Sequence, residues 1–427
     1  MRGVILTILL IAASPVMAQE RMDEEAFKRE VLTYSQDLKA SKAECEAMVS
    51  AIKYAKSAYY PAITGAGTFR YELQDRDYAI PTTQIFFPME REDFALGLEL
   101  TQPLYAGGAI MSSVKSAKLQ GEVAERSVEL TVDNVLHGAE LAYWGAVAQK
   151  EMYNTVERYV QIVTELRDIV EVKYTEGKIS KTDLIQTESR LAEAKLQLVD
   201  SKTYYELALQ NMNIMMGRDP YTPIELADEI SSNLEIPGIV NPGDILDLRP
   251  EVAIAQLNVL LQEQQIKGTA AAFNPSLYAG LSETWGSSAI NIDNKGYWGH
   301  SLYVKLTIPV FNWGARYKSL GVQRKKLEST KYELQKQVDG VVKEVTDCWT
   351  ILNENLSKIQ IAEHNVTIAD ENLDLNTFSY NEGKLTILDV LSAQTSWISA
   401  YTGMISAWHS QHVAISDYNK AIGNMHD

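Results

Sequence analysis

Tyr174-Thr175-Glu176-Gly177-Lys178-Ile179-Ser180-Lys181-Thr182-Asp183-Leu184 returns 206 residues later as Tyr380-Asn381-Glu382-Gly383-Lys384-Leu385-Thr386-Ile387-Leu388-Asp389-Val390. Tyr, Glu, Gly, Lys and Asp hold the same places in both copies. Each copy reads as a tight turn between two helices. A glycine after a helix supplies the left-handed residue that ends it. Ser180-x-x-Asp183 and Thr386-x-x-Asp389 are acidic variants of the capping box that starts the next helix. The chain therefore carries two helical hairpins with equivalent tips.

The repetition runs well beyond the tips. Thr101-Gln102-Pro103-Leu104-Tyr105-Ala106-Gly107-Gly108 matches Thr307-Ile308-Pro309-Val310-Phe311-Asn312-Trp313-Gly314 at the same spacing. Upstream, Tyr60-Pro61-Ala62-Ile63 pairs with Asn274-Pro275-Ser276-Leu277, now 214 residues apart. A variable loop between the paired segments accounts for the difference. Two similar halves in one chain are a duplication and share one architecture. Residues 19–218 form the first repeat, 219–248 the linker and 249–427 the second repeat.

Around the tips the pattern is helical and long. Residues 23–58, 109–176, 182–216, 250–272, 315–377 and 387–423 read as helices. A helix over 109–176 is on the order of 100 Å long. Seven-residue seams mark coiled-coil packing. One runs through Leu184, Leu191, Leu198, Tyr205 and Met212; another through Ala393, Ala400, Ala407, Ala414 and Ala421, accompanied by Val390, Trp397, Met404 and Tyr418. Alanine at every other seam position calls for long helices packed closely side by side. Met212, Met215 and Met216 read as core residues on the same grounds.

Between helices the period drops to two. Ile63, Gly65, Gly67, Phe69 and Tyr71 alternate with Thr64, Ala66, Thr68 and Arg70; Phe94, Leu96, Leu98 and Leu100 with Ala95, Gly97 and Glu99. Strands are predicted at 61–73, 94–104, 275–285 and 298–309. About ten residues suffice for a tilted strand to cross a bilayer. The stretch Gln74–Asp93 reads as a polar loop. Four strands cannot close a barrel, and open edges are not tolerated in lipid. Two chains would give eight strands and three would give twelve, of which only the larger number surrounds a passage.

Composition narrows the function. Arg2, the apolar run Val4–Ala13 and Val16-Met17-Ala18 form a secretory signal, residues 1–18. Losing Arg2 takes the formal net charge from −17 to −18. That acidity argues against nucleic acid and against an anionic membrane surface as partners. No lipid-attachable cysteine follows the signal. The cysteines, Cys45 and Cys348, each continue a heptad stripe and read as small core residues; whether they pair is open at this stage. His409-x-x-His412 reads as a surface pair without enough ligands for a metal. No nucleophile elbow, phosphate loop, zinc spacing or supported acid–base set is present. The sequence thus argues against an enzyme, and no cofactor or metal is expected.

The ordered set of features resembles the TolC-like outer-membrane efflux proteins over essentially the whole mature chain. The set comprises the signal, the duplicated strand–strand–helix–tip–helix halves, Thr-x-Pro strand exits, Arg249-Pro250-Glu251 and the glycine tips. The resemblance implies a mainly α fold with a small β part. Long antiparallel coiled-coil hairpins would form a periplasmic α-barrel, and four strands per chain would join a trimeric twelve-stranded barrel in the outer membrane. It implies a homotrimeric exit duct in outer-membrane lipid, docked to a periplasmic adaptor and an inner-membrane pump, for small molecules or proteins. An adaptor-like coiled-coil protein is the alternative, although an adaptor has one hairpin rather than two.

The resemblance also places a gate. The family's constriction has two acids early in the second returning helix; Asp389 matches the first, and Ser392 stands in place of the second. The family's latch sets a Tyr and an Arg at the second tip against Thr-Asp at the first. Tyr380, Thr182 and Asp183 match, and Leu385 replaces the Arg. Latch and ring are thus expected to be weaker, or built from other residues. Capping alone would also explain Asp183 and Asp389. Gly177, Lys178, Gly383 and Lys384, exposed at the tips, are the expected adaptor contacts.

Overall fold

The computed structural model describes residues 20–80, 85–231 and 236–425. The expected signal, residues 1–18, lies outside them. The duplication is plain in the helix lengths. Helix α3 (Ala109–Thr175) and α6 (Ala315–Asn381) each have 67 residues, and α4 (Lys181–Met216) and α7 (Ile387–Ile422) each have 36. Helix α6 runs past the expected end at 377, because Phe378, Ser379 and Tyr380 remain helical up to the turn.

The chain divides into two compact units that each draw on both repeats. One comprises Ala40–Leu130 and Arg249–Gly340. Its centre is an antiparallel sheet of β2 (Ala62–Tyr71), β5 (Glu92–Ala106), β7 (Ser276–Ser287) and β8 (Gly296–Thr307), in the order β2-β5-β7-β8. Register sets the faces: Gly65 lies opposite Leu98, Leu98 opposite Glu283, and Glu283 opposite His300. Ile63, Leu96, Leu98, Leu281, Leu302 and Val304 thus share one face, and all are exposed. The other face carries Glu99, which accepts a hydrogen bond from the Tyr303 hydroxyl. Glu283 and His300, 2.9 Å apart, interrupt the apolar face; a mainly apolar face backed by a polar one is the pattern of a strand between lipid and a wet lumen. Among the described residues neither β2 nor β8 has a strand on its outer edge.

The other unit comprises residues up to Lys39, Thr131–Leu248 and those from Val341 on. Here the seams are buried. Leu191, Ala194, Met212, Ala393, Trp397, Ala400, Ala414, Tyr418 and Ala421 are each less than a tenth exposed, and Ala407 is half-buried. Full burial of one such large apolar side chain contributes about 1.5–3 kcal/mol. The N-terminal segment is tied into this bundle. Strand β1 (Glu20–Met22) pairs in parallel with β6 (Ile224–Leu226), which lies in the inter-repeat linker. Lys28 sits 2.9 Å from both Glu24 and Glu140. The Tyr143 hydroxyl lies 2.5 Å from the Asp228 carboxylate and 3.1 Å from the Met22 carbonyl.

Several expectations need correction. The helix expected over 23–58 is two, α1 (Glu24–Tyr34) and α2 (Gln36–Ser57). Ser35 leaves the helical backbone, and its hydroxyl accepts from the Leu38 N–H as the N-cap of α2. The polar loop Gln74–Asp93 contains a further hairpin, β3 (Arg76–Ile80) with β4 (Ile85–Met89), built from Tyr78, Ile85, Phe86 and Phe87. The linker holds β6 and a short 3-10 turn, Leu246–Leu248, before α5 (Pro250–Ala271). Cys45 and Cys348 form no disulfide and are only half-buried, at stripe positions where the helix turns partly outward.

His409 and His412 are not a surface pair. His412 is buried and stacks on Trp144 with ring centroids 3.6 Å apart. Burial, followed by repulsion from His409, depresses its pKa from 6.5 to about 4, against a weak opposing pull from Asp228. The unfolded chain therefore takes up this proton near pH 6.5, and the folded chain only near pH 4. The stabilisation is fully present above pH 6.5 and is lost as pH falls from 6.5 towards 4, by about 3 kcal/mol in all. Thermal melting of the helical signal at pH 7 and at pH 4.5 should show this loss, and His412→Asn should reduce its size. An identical pH dependence in the variant would show that His412 does not carry it.

Candidate functional site: the two helical tips

At the first tip α3 ends in a left-handed glycine, Gly177, with φ 73°. The Gly177 N–H donates to the Tyr174 carbonyl (2.9 Å), and the Lys178 N–H to the Lys173 carbonyl (2.9 Å). Two carbonyls that the helix would leave orphaned are thereby satisfied. Five residues separate α3 from α4. The Ser180 hydroxyl accepts from the Asp183 N–H at 3.3 Å, and the Asp183 carboxylate accepts from the Ser180 N–H at 3.1 Å. This is the reciprocal capping box that the sequence predicts.

The second tip repeats the geometry. Gly383 has φ 73°; its N–H donates to the Tyr380 carbonyl at 3.0 Å, and the Lys384 N–H to Ser379 at 2.9 Å. The start of α7 differs in one respect. Both the N–H and the hydroxyl of Thr386 donate to one oxygen of Asp389, at 2.9 and 2.6 Å. These two bonds, the hydroxyl's first, hold the Asp389 carboxyl below the ordinary aspartate range. Asp389, Ser392 and Thr182 are exposed, as are Gly177, Lys178, Gly383 and Lys384. Asp389 thus presents its charge outward while serving as a cap.

Tyr380 lies between the hairpins. It is buried in a cluster with Leu166, Val170, Ile387, Val390 and Leu391. Burial, and then the charge of Asp183, raise the pKa of its hydroxyl. Asp183 is therefore close by, but its carboxylate is committed to Ser180, and the Tyr380 hydroxyl has no hydrogen-bond partner. The bond between hairpins comes from a residue the sequence reading passed over. Lys173 Nζ donates to the Tyr380 carbonyl at 3.0 Å and lies 3.4 Å from that of Asn381. It also lies 4.2 Å from the Tyr380 ring centroid. The duplication held a signal for it, since Ser379 occupies the place equivalent to Lys173 and carries no charge.

The sequence profile described as outer membrane efflux protein matches residues 29–218 and 241–423, nearly all of both repeats. The chain belongs to the outer membrane efflux protein family. Outer membrane efflux protein BepC of Brucella suis biovar 1 is 22% identical over 434 residues, 97% of this chain and 90% of the relative. Alkaline protease secretion protein AprF of Pseudomonas aeruginosa is 23% identical over 359 residues, 81% of this chain and 69% of the relative. The crystal structure of the Campylobacter jejuni CmeC outer membrane channel superposes with a TM-score of 0.78 at 19% identity, covering 94% of this chain and 85% of that one. This efflux protein is accordingly an outer-membrane channel of mainly α fold with a small β part, in a family of transport proteins. The adaptor alternative finds no support, because the structures it resembles are channels.

The backbone at the tips is testable directly. A Cβ added at Gly383 would meet nothing within 4 Å, so Gly383→Val introduces backbone strain without a clash. Forcing a branched residue into the left-handed region costs about 1–2 kcal/mol. Amide exchange at Lys384 should accelerate in Gly383→Val and much less in Gly383→Asn, since asparagine tolerates that conformation. Equal exchange in both variants would mean the turn is not held by its left-handed residue.

Proposed function

We propose that three copies of this chain close a twelve-stranded barrel in outer-membrane lipid and form the exit duct of a tripartite system. The observation that carries this reading is the four-stranded sheet with one exposed, mainly apolar face and, among the described residues, two unpaired edges. An unpaired edge cannot stay open in hydrocarbon, and pairing β2 of one copy with β8 of the next removes it. The cargo comes from an inner-membrane pump through a periplasmic adaptor. Names among the relatives include both efflux and protease secretion, so small molecules and proteins are both within the proposed class. The adaptor docks on the tips, where Gly177, Lys178, Gly383 and Lys384 are exposed. Asp389 lines the constriction, with Ser392 beside it and Thr182, Asp183 and Tyr380 at the adjoining contact.

Native mass spectrometry in detergent should give three chains per particle; a water-soluble monomer would rule out the barrel. Replacing both Gly177 and Gly383 by valine should lower export while the barrel still inserts. Export at the parental level would place docking elsewhere. Three Asp389 carboxylates confined near an axis would attract cations, in part screened by salt. Asp389→Asn should therefore reduce cation selectivity in planar bilayers. If the variant conducts and selects as the parent does, Asp389 is a cap alone.

A further inference from the structure

Lys173 has no counterpart in the second repeat, and it crosses from one hairpin to the other. It starts on the last turn of α3 and ends on the carbonyls of Tyr380 and Asn381, the last two residues of α6. Those carbonyls lie at the negative end of a 67-residue helix, where a cation is favoured. The same ammonium lies against the face of the Tyr380 ring, a second favourable contact for a cation. Burial, and then the neighbouring Lys178, lower the Lys173 pKa, so two tip lysines share one small region. No arginine stands at the second tip to bridge back, since position 385 is leucine and 39% exposed. Asp183 is occupied by Ser180, and the Tyr380 hydroxyl is unpartnered.

We propose that Lys173 is the clasp that holds the closed state of this channel, pinning the C-terminus of α6 to the end of α3. The inference rests on the exit-duct reading above. Opening the tip then requires the ammonium to leave two carbonyls and one aromatic face together. The direction of the clasp follows from the duplication: the lysine is on the first repeat, and the helix terminus it holds is on the second.

The test compares full-length oligomers of the parent, Lys173→Met and Lys173→Arg in two measurements. Amide exchange at Gly383 and Lys384, whose N–H groups bond to the Tyr380 and Ser379 carbonyls, should rise roughly five- to tenfold in Lys173→Met. In planar bilayers the same variant should spend several-fold more time in high-conductance states, by roughly the same factor. Lys173→Arg keeps the charge and the donors and should stay near the parent in both. Unchanged exchange and conductance in Lys173→Met would overturn the clasp. Faster exchange with unchanged conductance would overturn its gating role and leave a helix cap. If the parent itself never conducts, the duct reading fails and gating by Lys173 falls with it. Retained parental conductance with a failed Lys173→Met prediction instead condemns the clasp alone.

Discussion

Each 67-residue helix reverses direction within five residues, and much of the helical unit depends on how that is done. A helix end leaves up to four carbonyls without partners, and the next helix begins with as many unpaired N–H groups. Within five residues one glycine in the left-handed region and one acid at the third helical position answer part of both needs. The short connection forces the returning helix to lie antiparallel to the outgoing one. The seams then bury Leu191, Ala194, Ala393, Trp397 and Ala400 along the hairpins. A longer turn would let the helices splay, and the small seam residues would lose the contacts that make alanine worth placing there.

The two tips are alike in backbone and unlike in electrostatics. Asp183 belongs to a reciprocal box, so its charge is spent within its own turn. Asp389 receives two donors on one oxygen and remains exposed. A carboxylate in that state keeps its charge to lower pH than an ordinary aspartate. Capping and lining a constriction are therefore compatible uses of Asp389. The capping bonds fix the carboxylate on the first turn of α7, so the proposed use at a constriction does not compete with its use as a cap.

The helices, the four sheet strands and both caps were legible in the sequence because each rests on a local rule. Periods of seven and two, glycine after a helix and an acid three residues past a hydroxyl all act within a few residues. What escaped was either a local bond that no pattern announces or a contact with a partner distant in sequence. Ser35 reads as an ordinary helical serine until Leu38 is seen bonded to it, and β3 and β4 hide in a stretch whose charges suggest a loop. His412 looked like half of a surface pair, yet Trp144, 268 residues away, covers it. Lys173 carries no motif of its own in the sequence, and only the arrival of Tyr380 gives it a role. In a duplicated chain such residues leave one trace, a charge present in one copy and absent from the other.

Polar contacts within and between the hairpins also divide the helical unit into parts that resist motion and a part that yields. Asp370 on α6 accepts from the Trp397 indole at 2.6 Å and from the Tyr401 hydroxyl at 3.1 Å, both on α7. Farther from the tips, Glu140 on α3 accepts from the Ser416 hydroxyl, and Lys28 pairs with the same Glu140. These groups are buried or half-buried, and breaking them strands polar atoms away from water. At the tips the cross-hairpin polar bond runs instead from one half-buried lysine to carbonyls at an exposed turn. Once freed, both the ammonium and the carbonyls can turn to water, so that contact costs least to open. Movement of the hairpins should therefore begin at the turns and die out towards the Asp370 and Glu140 contacts, without unpacking the bundle.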